Sequence, residues 1–226
     1  MLFFKNWLLK VKPKINNNYI AKGPQAKKRY GSDKICTLGY HDRGFVIARP
    51  ADPFAPWLLE RIQLLPSKIS GSSTNIASAI DLALQVLAHP SLQGYQKRIW
   101  ILSDGLPNAG QDRHAALLKN ARESWVNLNT VALGNFFNSN HGLLRDMATA
   151  THNGKFYEVK NLRELRAALG ITRNPSRTQR SHRAEATVYA IDCSGSMLGA
   201  MEGKRKIDVA VQALEDLIAY KQQTWS

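Results

Sequence analysis

Two apolar runs, each ending in a turn of acidic and hydroxyl side chains, constrain this chain more than any other feature. Residues 99–102 (IWIL) run straight into Ser103-Asp104-Gly105, and residues 187–191 (TVYAI) run into Asp192-Cys193-Ser194-Gly195-Ser196-Met197. A strand with no polar alternation is buried on both faces, which happens in parallel sheets covered by helices. Helical segments do lie between such runs. Ile76, Ala79, Ile80, Ala83, Leu84 and Leu87 recur at helical spacing ahead of Pro90, which predicts an amphipathic helix. A second helix is expected over 111–125, with Leu117, Leu118, Ala121 and Trp125 on one face. A third, from about 204, carries Ile207, Ala210, Val211, Leu214, Leu217 and Ile218.

Further strands are expected at 34–40 and 45–48 around a tight turn at His41-Asp42, and at 128–133 and 155–159. Pro50 and Pro53 break the pattern after 48, and short helices are expected at 57–65, 142–151 and 161–169. Strands alternating with helices give an α/β fold: a doubly wound, mainly parallel sheet with helices on both faces.

The charge is unevenly placed. The chain carries 31 basic and 17 acidic residues, a net of +14. Residues 1–34 hold nine basic side chains against Asp33, residues 160–183 hold seven against Glu164, and the rest balances at 15 each. The whole excess therefore belongs to residues 1–34 and 160–183, largely loop-like in composition; within them lie a basic arm over 1–33 and most of an Arg-rich linker over 170–185, interrupted by Pro175. Such segments suit a solvated surface, nucleic acid or an anionic surface, but the linker lacks the interleaved aromatics of a nucleic-acid binder. No apolar run approaches the roughly 20 residues of a membrane span. Lys5 and Asn6 interrupt the apolar opening, and no small-residue cleavage site follows, so it does not read as a signal peptide. Cys36 and Cys193 are too few for a disulfide framework, and a cytoplasmic location is the expectation.

The carboxyl ends of strands in open α/β sheets are where ligands bind. Asp192, Ser194 and Ser196 leave one such end within five residues, Asp104 leaves another, and Thr74 stands at the mouth of the helix that begins near Ile76. All five offer hard oxygen, which suits Mg²⁺, with Mn²⁺ as the alternative, rather than a soft metal. Singly, each has a plainer role: Thr74 as a helix cap, Asp104-Gly105 as a turn.

Together the segments Asp192-Cys193-Ser194-Gly195-Ser196-Met197, Gly71-Ser72-Ser73-Thr74-Asn75 and Leu102-Ser103-Asp104-Gly105 resemble the metal-ion-dependent adhesion site of von Willebrand factor type A domains. The likeness extends over residues 34–169 and 186–222. It implies that Ser194 and Ser196 bind Mg²⁺ directly, Thr74 and Asp104 directly or through water, and Asp192 mainly through water and hydrogen bonds. A carboxylate from a partner protein would fill the open position. Relatives of bacterial type suggest an AAA+ ATPase as one partner class.

The order of the pieces departs from the family, where the Asp-x-Ser-x-Ser strand comes first. A circular permutation accounts for this: a single domain over 34–226, with 34–169 as the later part of the fold and 186–226 as its first strand and helix. The family's strand order would set strand 187–191 beside strand 99–102. The rival is a chain joining two half-domains, each completed by a partner copy; one copy of every element favours permutation.

These features predict a non-catalytic, Mg²⁺-dependent protein-binding module. One alternative is nucleic-acid or anionic-surface binding through the basic arms. The other is a metal-assisted hydrolase, or one using Ser194 or Ser196 as nucleophile. A serine hydrolase needs a base, for which His114, His141, His152 and His182 are the candidates, and no Gly-x-Ser-x-Gly elbow surrounds either serine. Cys193, beside the expected ion, is a candidate redox-sensitive thiol, although small buried cysteines are usually inert.

Overall fold

The computed structural model describes residues 32–105, 107–134, 141–171 and 184–225. The basic arm over 1–31 and most of the linker, residues 172–183, lie outside the described residues, as does His182.

Six strands form one sheet: β1 (Lys34–Tyr40), β2 (Gly44–Ala51), β3 (Gln96–Ser103), β4 (Asn127–Leu133), β5 (Phe156–Val159) and β6 (Glu185–Asp192), in the order β2-β1-β6-β3-β4-β5. Every pairing is parallel except β1 with β2. Among the described residues six helices cover it: α1 (Trp57–Ile62), α2 (Ile76–Leu87), α3 (His114–Glu123), α4 (Gly142–Thr149), α5 (Leu162–Ala168) and α6 (Lys206–Trp225). The doubly wound α/β arrangement expected from the apolar runs is the one observed.

Side-chain alternation explains the layers. Along β6, Ala186, Val188 and Ala190 join a core with Ile76, Ile80, Leu117, Leu144 and Met147 from α2, α3 and α4. Tyr189 and Ile191 point to the other side, into a core with Leu58, Leu165, Ile207, Leu214 and Ile218 from α1, α5 and α6. All eight residues of β6 are buried, so the last long strand of the chain is the centre of the sheet. It pairs with β1 from Lys34↔Ala186 to Tyr40↔Asp192 and with β3 from Gln96↔Glu185 to Leu102↔Ile191. Strand 187–191 thus lies beside strand 99–102.

Several boundaries differ from the sequence reading, each for a local reason. β2 continues through Pro50 to Ala51; it is an edge strand, where the missing proline donor faces no neighbour, and its ladder carries register shifts between Ile35 and Leu38. β6 begins at Glu185, inside the stretch assigned to the linker, because the Glu185 N–H is taken by the Asp33 carboxylate at 2.9 Å. Trp125 does not join the buried face of its helix. α3 ends at Glu123, Trp125 adopts φ 55°, and its indole is 72% exposed, stacked on His152 at 4.4 Å. A small antiparallel hairpin, β7 (Ala200–Met201) with β8 (Lys204–Arg205), precedes α6. Its two-residue strands are too short to leave an alternating pattern in sequence.

Candidate metal centre

The register of the central strands builds the site. Because Leu102 pairs with Ile191, the next residues of each strand, Ser103 and Asp192, emerge side by side at the carboxyl edge. The Ser103 hydroxyl donates to Asp192 Oδ2 at 2.8 Å, and the Ser194 N–H donates to Asp192 Oδ1 at 2.8 Å. Asp192 is wholly buried, and desolvation pushes its pKa up from the usual 3.8 to about 6 despite these bonds. Its role here is to fix the turn that follows.

That turn aims two hydroxyls at the neighbouring strand end. Ser194 Oγ lies 2.9 Å from Ser196 Oγ, and Ser196 Oγ donates to Asp104 Oδ1 at 2.6 Å, joining positions 92 residues apart. The other Asp104 oxygen accepts from the Lys206 ammonium at 2.7 Å.

The loop carrying Thr74 is sewn onto the same edge by backbone bonds. Ser70 N–H donates to the Cys193 carbonyl at 3.0 Å, and Gly195 N–H to the Gly71 carbonyl at 2.9 Å. The Asn108 amide holds the loop from the other side, accepting from Thr74 N–H at 2.8 Å and donating to the Ser72 carbonyl at 2.8 Å. Thr74 is 5% exposed. It is not the cap of α2: Asn75 caps that helix, accepting from Ser78 N–H at 3.0 Å. Asp104-Gly105 does form a local turn, with the Gly105 N–H 3.3 Å from Ser103 Oγ.

Of the five candidate residues, Asp192, Ser194, Ser196 and Asp104 thus meet through one hydrogen-bonded chain with Ser103, and Thr74 stands in a loop bonded to the Cys193–Gly195 backbone. Ser103, Asn108 and Lys206 were not singled out by sequence. Ser103 carried a signal, as a hydroxyl one position before Asp104 on the same strand end. Lys206 carried a weaker one, as a cation on the first residue of a helix, where the helix dipole disfavours it.

The donor set fits a hard divalent cation. Oxygen ligands at about 2.1 Å in an octahedron lie about 3.0 Å from their neighbours, close to the 2.9 and 2.6 Å separations of Ser194, Ser196 and Asp104. Two neutral hydroxyls and a carboxylate are ligands for Mg²⁺ or Mn²⁺, not for zinc or copper. Among the described residues no group of three or more His, Cys, Asp and Glu stands together to hold a metal ion.

A family comparison agrees with the α/β fold. The von Willebrand factor type A domain family matches residues 54–170, a stretch that includes Thr74 and Asp104. The chain belongs to that family. Its domains typically mediate protein–protein interaction. The matched stretch of this type A domain stops before Asp192. Similar solved structures include the conserved hypothetical protein BatB from Bacteroides thetaiotaomicron, 18% identical over 57% of this chain and 72% of that one, with a TM-score of 0.46. Another is an uncharacterized membrane spanning protein from Vibrio fischeri, 21% identical over 61% of this chain and 74% of that one, with a TM-score of 0.31. No curated protein matches. Among the described residues, no helix of this type A domain is long and apolar enough to cross a membrane.

The remaining chemistry-bearing groups lie in ordinary surroundings. Cys193 is buried and its pKa is pushed up to about 12 by desolvation, so it is a thiol at neutral pH. Burial likewise pushes the Cys36 thiol up. His114 opens α3, His141 precedes α4 and pairs with Glu158 at 3.8 Å, and His152 stacks on Trp125.

Proposed function

We propose that this type A domain is a non-catalytic protein-binding module that acts through Mg²⁺, or Mn²⁺, held by Ser194, Ser196 and Asp104. Thr74 and Asp192 complete the set, Asp192 through water and through its hold on the Ser194 amide. The observation that carries this reading is the continuous hydrogen-bonded oxygen chain Ser194–Ser196–Asp104, compact enough to become neighbouring ligands of one divalent ion, at the edge between β6 and β3. When bound, the ion supplies an electrophilic point that accepts one more oxygen ligand, and a carboxylate of a partner protein is the matching group. The serine hydroxyls bond to one another and to Asp104, an arrangement suited to ligation rather than to activation by a general base.

The same reading makes the domain a circular permutant over 34–226. The position of β6 between β1 and β3, and the packing of α6 beside α5 and α1 in one core, support it. Buried free thiols at Cys36 and Cys193 suit a reducing, cytoplasmic setting. An AAA+ ATPase as partner rests on family resemblance alone.

The test is capture of partners by the immobilised full chain in Mg²⁺ and in EDTA. Proteins retained in Mg²⁺, released by EDTA and absent with Ser194→Ala and Asp104→Ala are the expected result. Retention that ignores both EDTA and the substitutions refutes the reading.

A further inference from the structure

Lys206 is an expensive residue in its position. It opens the 20-residue helix α6, where the positive end of the helix dipole disfavours a cation. Its side chain is only 18% exposed, so it has given up much of its hydration. The structure nevertheless makes room for it. At Gly134, which follows β4 with φ +108°, a Cβ would lie 2.9 Å from Lys206 Cε. The Lys206 N–H is itself anchored on the Gly199 carbonyl at 2.9 Å. The ammonium is thereby delivered to Asp104 Oδ2, on a carboxylate whose side chain is 1% exposed. The two Asp104 oxygens are divided: one faces the serine hydroxyls, the other the ammonium.

We propose that Lys206 is a built-in counter-cation that makes divalent-ion binding and acidic-ligand binding mutually dependent. This rests on the metal-site reading above. With no ion, Lys206 neutralises the buried Asp104. With a divalent ion on the Oδ1 side, the charges of Asp104, Asp192, Lys206 and the ion sum to a net positive one, and two cations share one carboxylate in a partly desolvated crevice. The repulsion weakens the ion alone. An incoming carboxylate brings the sum to zero, so ion and acidic ligand each favour the other's binding, a reciprocal coupling. Without Lys206 the loaded site is already neutral: the ion binds tightly, and an arriving carboxylate gains less.

The experiment is a Mn²⁺ titration of the full chain at pH 8, followed by calorimetry or by the spin resonance of free Mn²⁺. It is run alone, with acetyl-Gly-Asp-Gly-amide, and with the Asn peptide as control. The wild type should bind Mn²⁺ weakly and gain at least fivefold in affinity with the Asp peptide only. Lys206→Met should bind Mn²⁺ alone at least tenfold more tightly and lose most of the peptide's effect, while Lys206→Arg should keep the wild-type pattern. Lys206→Gln replaces the Met variant if that variant melts below the assay temperature. Equal or weaker Mn²⁺ binding without the ammonium, an Arg variant that behaves like Met, or no peptide effect in the wild type overturns the coupling alone. No Mn²⁺ binding at millimolar concentration by the wild type or by the neutral variants overturns the metal site and, with it, this inference.

Discussion

Replacing Asp192 by Asn should stabilise the metal-free domain while abolishing its response to metal. The carboxyl of Asp192 has its pKa pushed up to about 6 by burial, from 3.8, which corresponds to about 3 kcal/mol against its charged form at neutral pH. Between about pH 4 and pH 6 the folded state therefore holds a proton that the unfolded chain has released. Stability falls as pH rises from about 4 to about 6, and stays low above that. An Asn at 192 removes the penalty and keeps the local bonds. Its Oδ1 accepts from the Ser194 N–H, and its amide donates to Ser103 Oγ, whose own hydrogen can turn to the Gly105 carbonyl 3.1 Å away. For a domain of this size 1 kcal/mol corresponds to roughly 2–4 °C in Tm, so Asp192→Asn should melt about 6–12 °C above the wild type at pH 8 in EDTA. Calorimetric melts from pH 4 to pH 8 check this. The difference should shrink towards zero at pH 4, where the wild-type carboxyl is protonated. In millimolar Mn²⁺ the wild type should rise and the variant should not. A variant less stable than the wild type at pH 8, or a difference that ignores pH, refutes the reasoning.

Gly154→Ala should cost about 3 kcal/mol or more in urea melts, because an added Cβ would clash with the backbone carbonyls of Ala148 and Leu128. His114 has its pKa lowered by burial, so it opposes folding as pH drops through its ordinary 6.5; His114→Gln should flatten the loss of Tm between pH 7 and pH 5 relative to the wild type. Asn108→Ala removes both amide bonds to the Thr74 loop; it should raise proteolytic cleavage near residues 71–74 and weaken Mn²⁺ binding severalfold, with a change in Tm of no more than about 3 °C.

The sheet was legible in the sequence because its strands are buried on both faces: 99–102 and 187–191 show as unbroken apolar runs, and their neighbourhood follows from the family's strand order. Pro50 misled because its meaning depends on whether β2 lies at an edge, and an edge is a tertiary fact. Trp125 misled because helical spacing continues past Glu123 in the sequence, while the backbone leaves the helix there. In the candidate site, oxygen-bearing side chains at strand ends pointed to Asp104, Ser194 and Ser196, which the fold brings into hydrogen-bond contact. Lys206 was hidden because charge compensation appears only once residues 102 apart are in contact. Asn108 was hidden because its work is to bond another loop's backbone, which no residue type advertises.

The most direct test of the account is a crystal of the full chain grown or soaked with Mn²⁺, measured at the manganese absorption edge. The account predicts one strong anomalous peak at the carboxyl edge of β6, about 2.2 Å from the hydroxyls of Ser194 and Ser196 and from an oxygen of Asp104 or a water bound to it. A well-diffracting crystal with manganese elsewhere, or with none between those side chains, contradicts it.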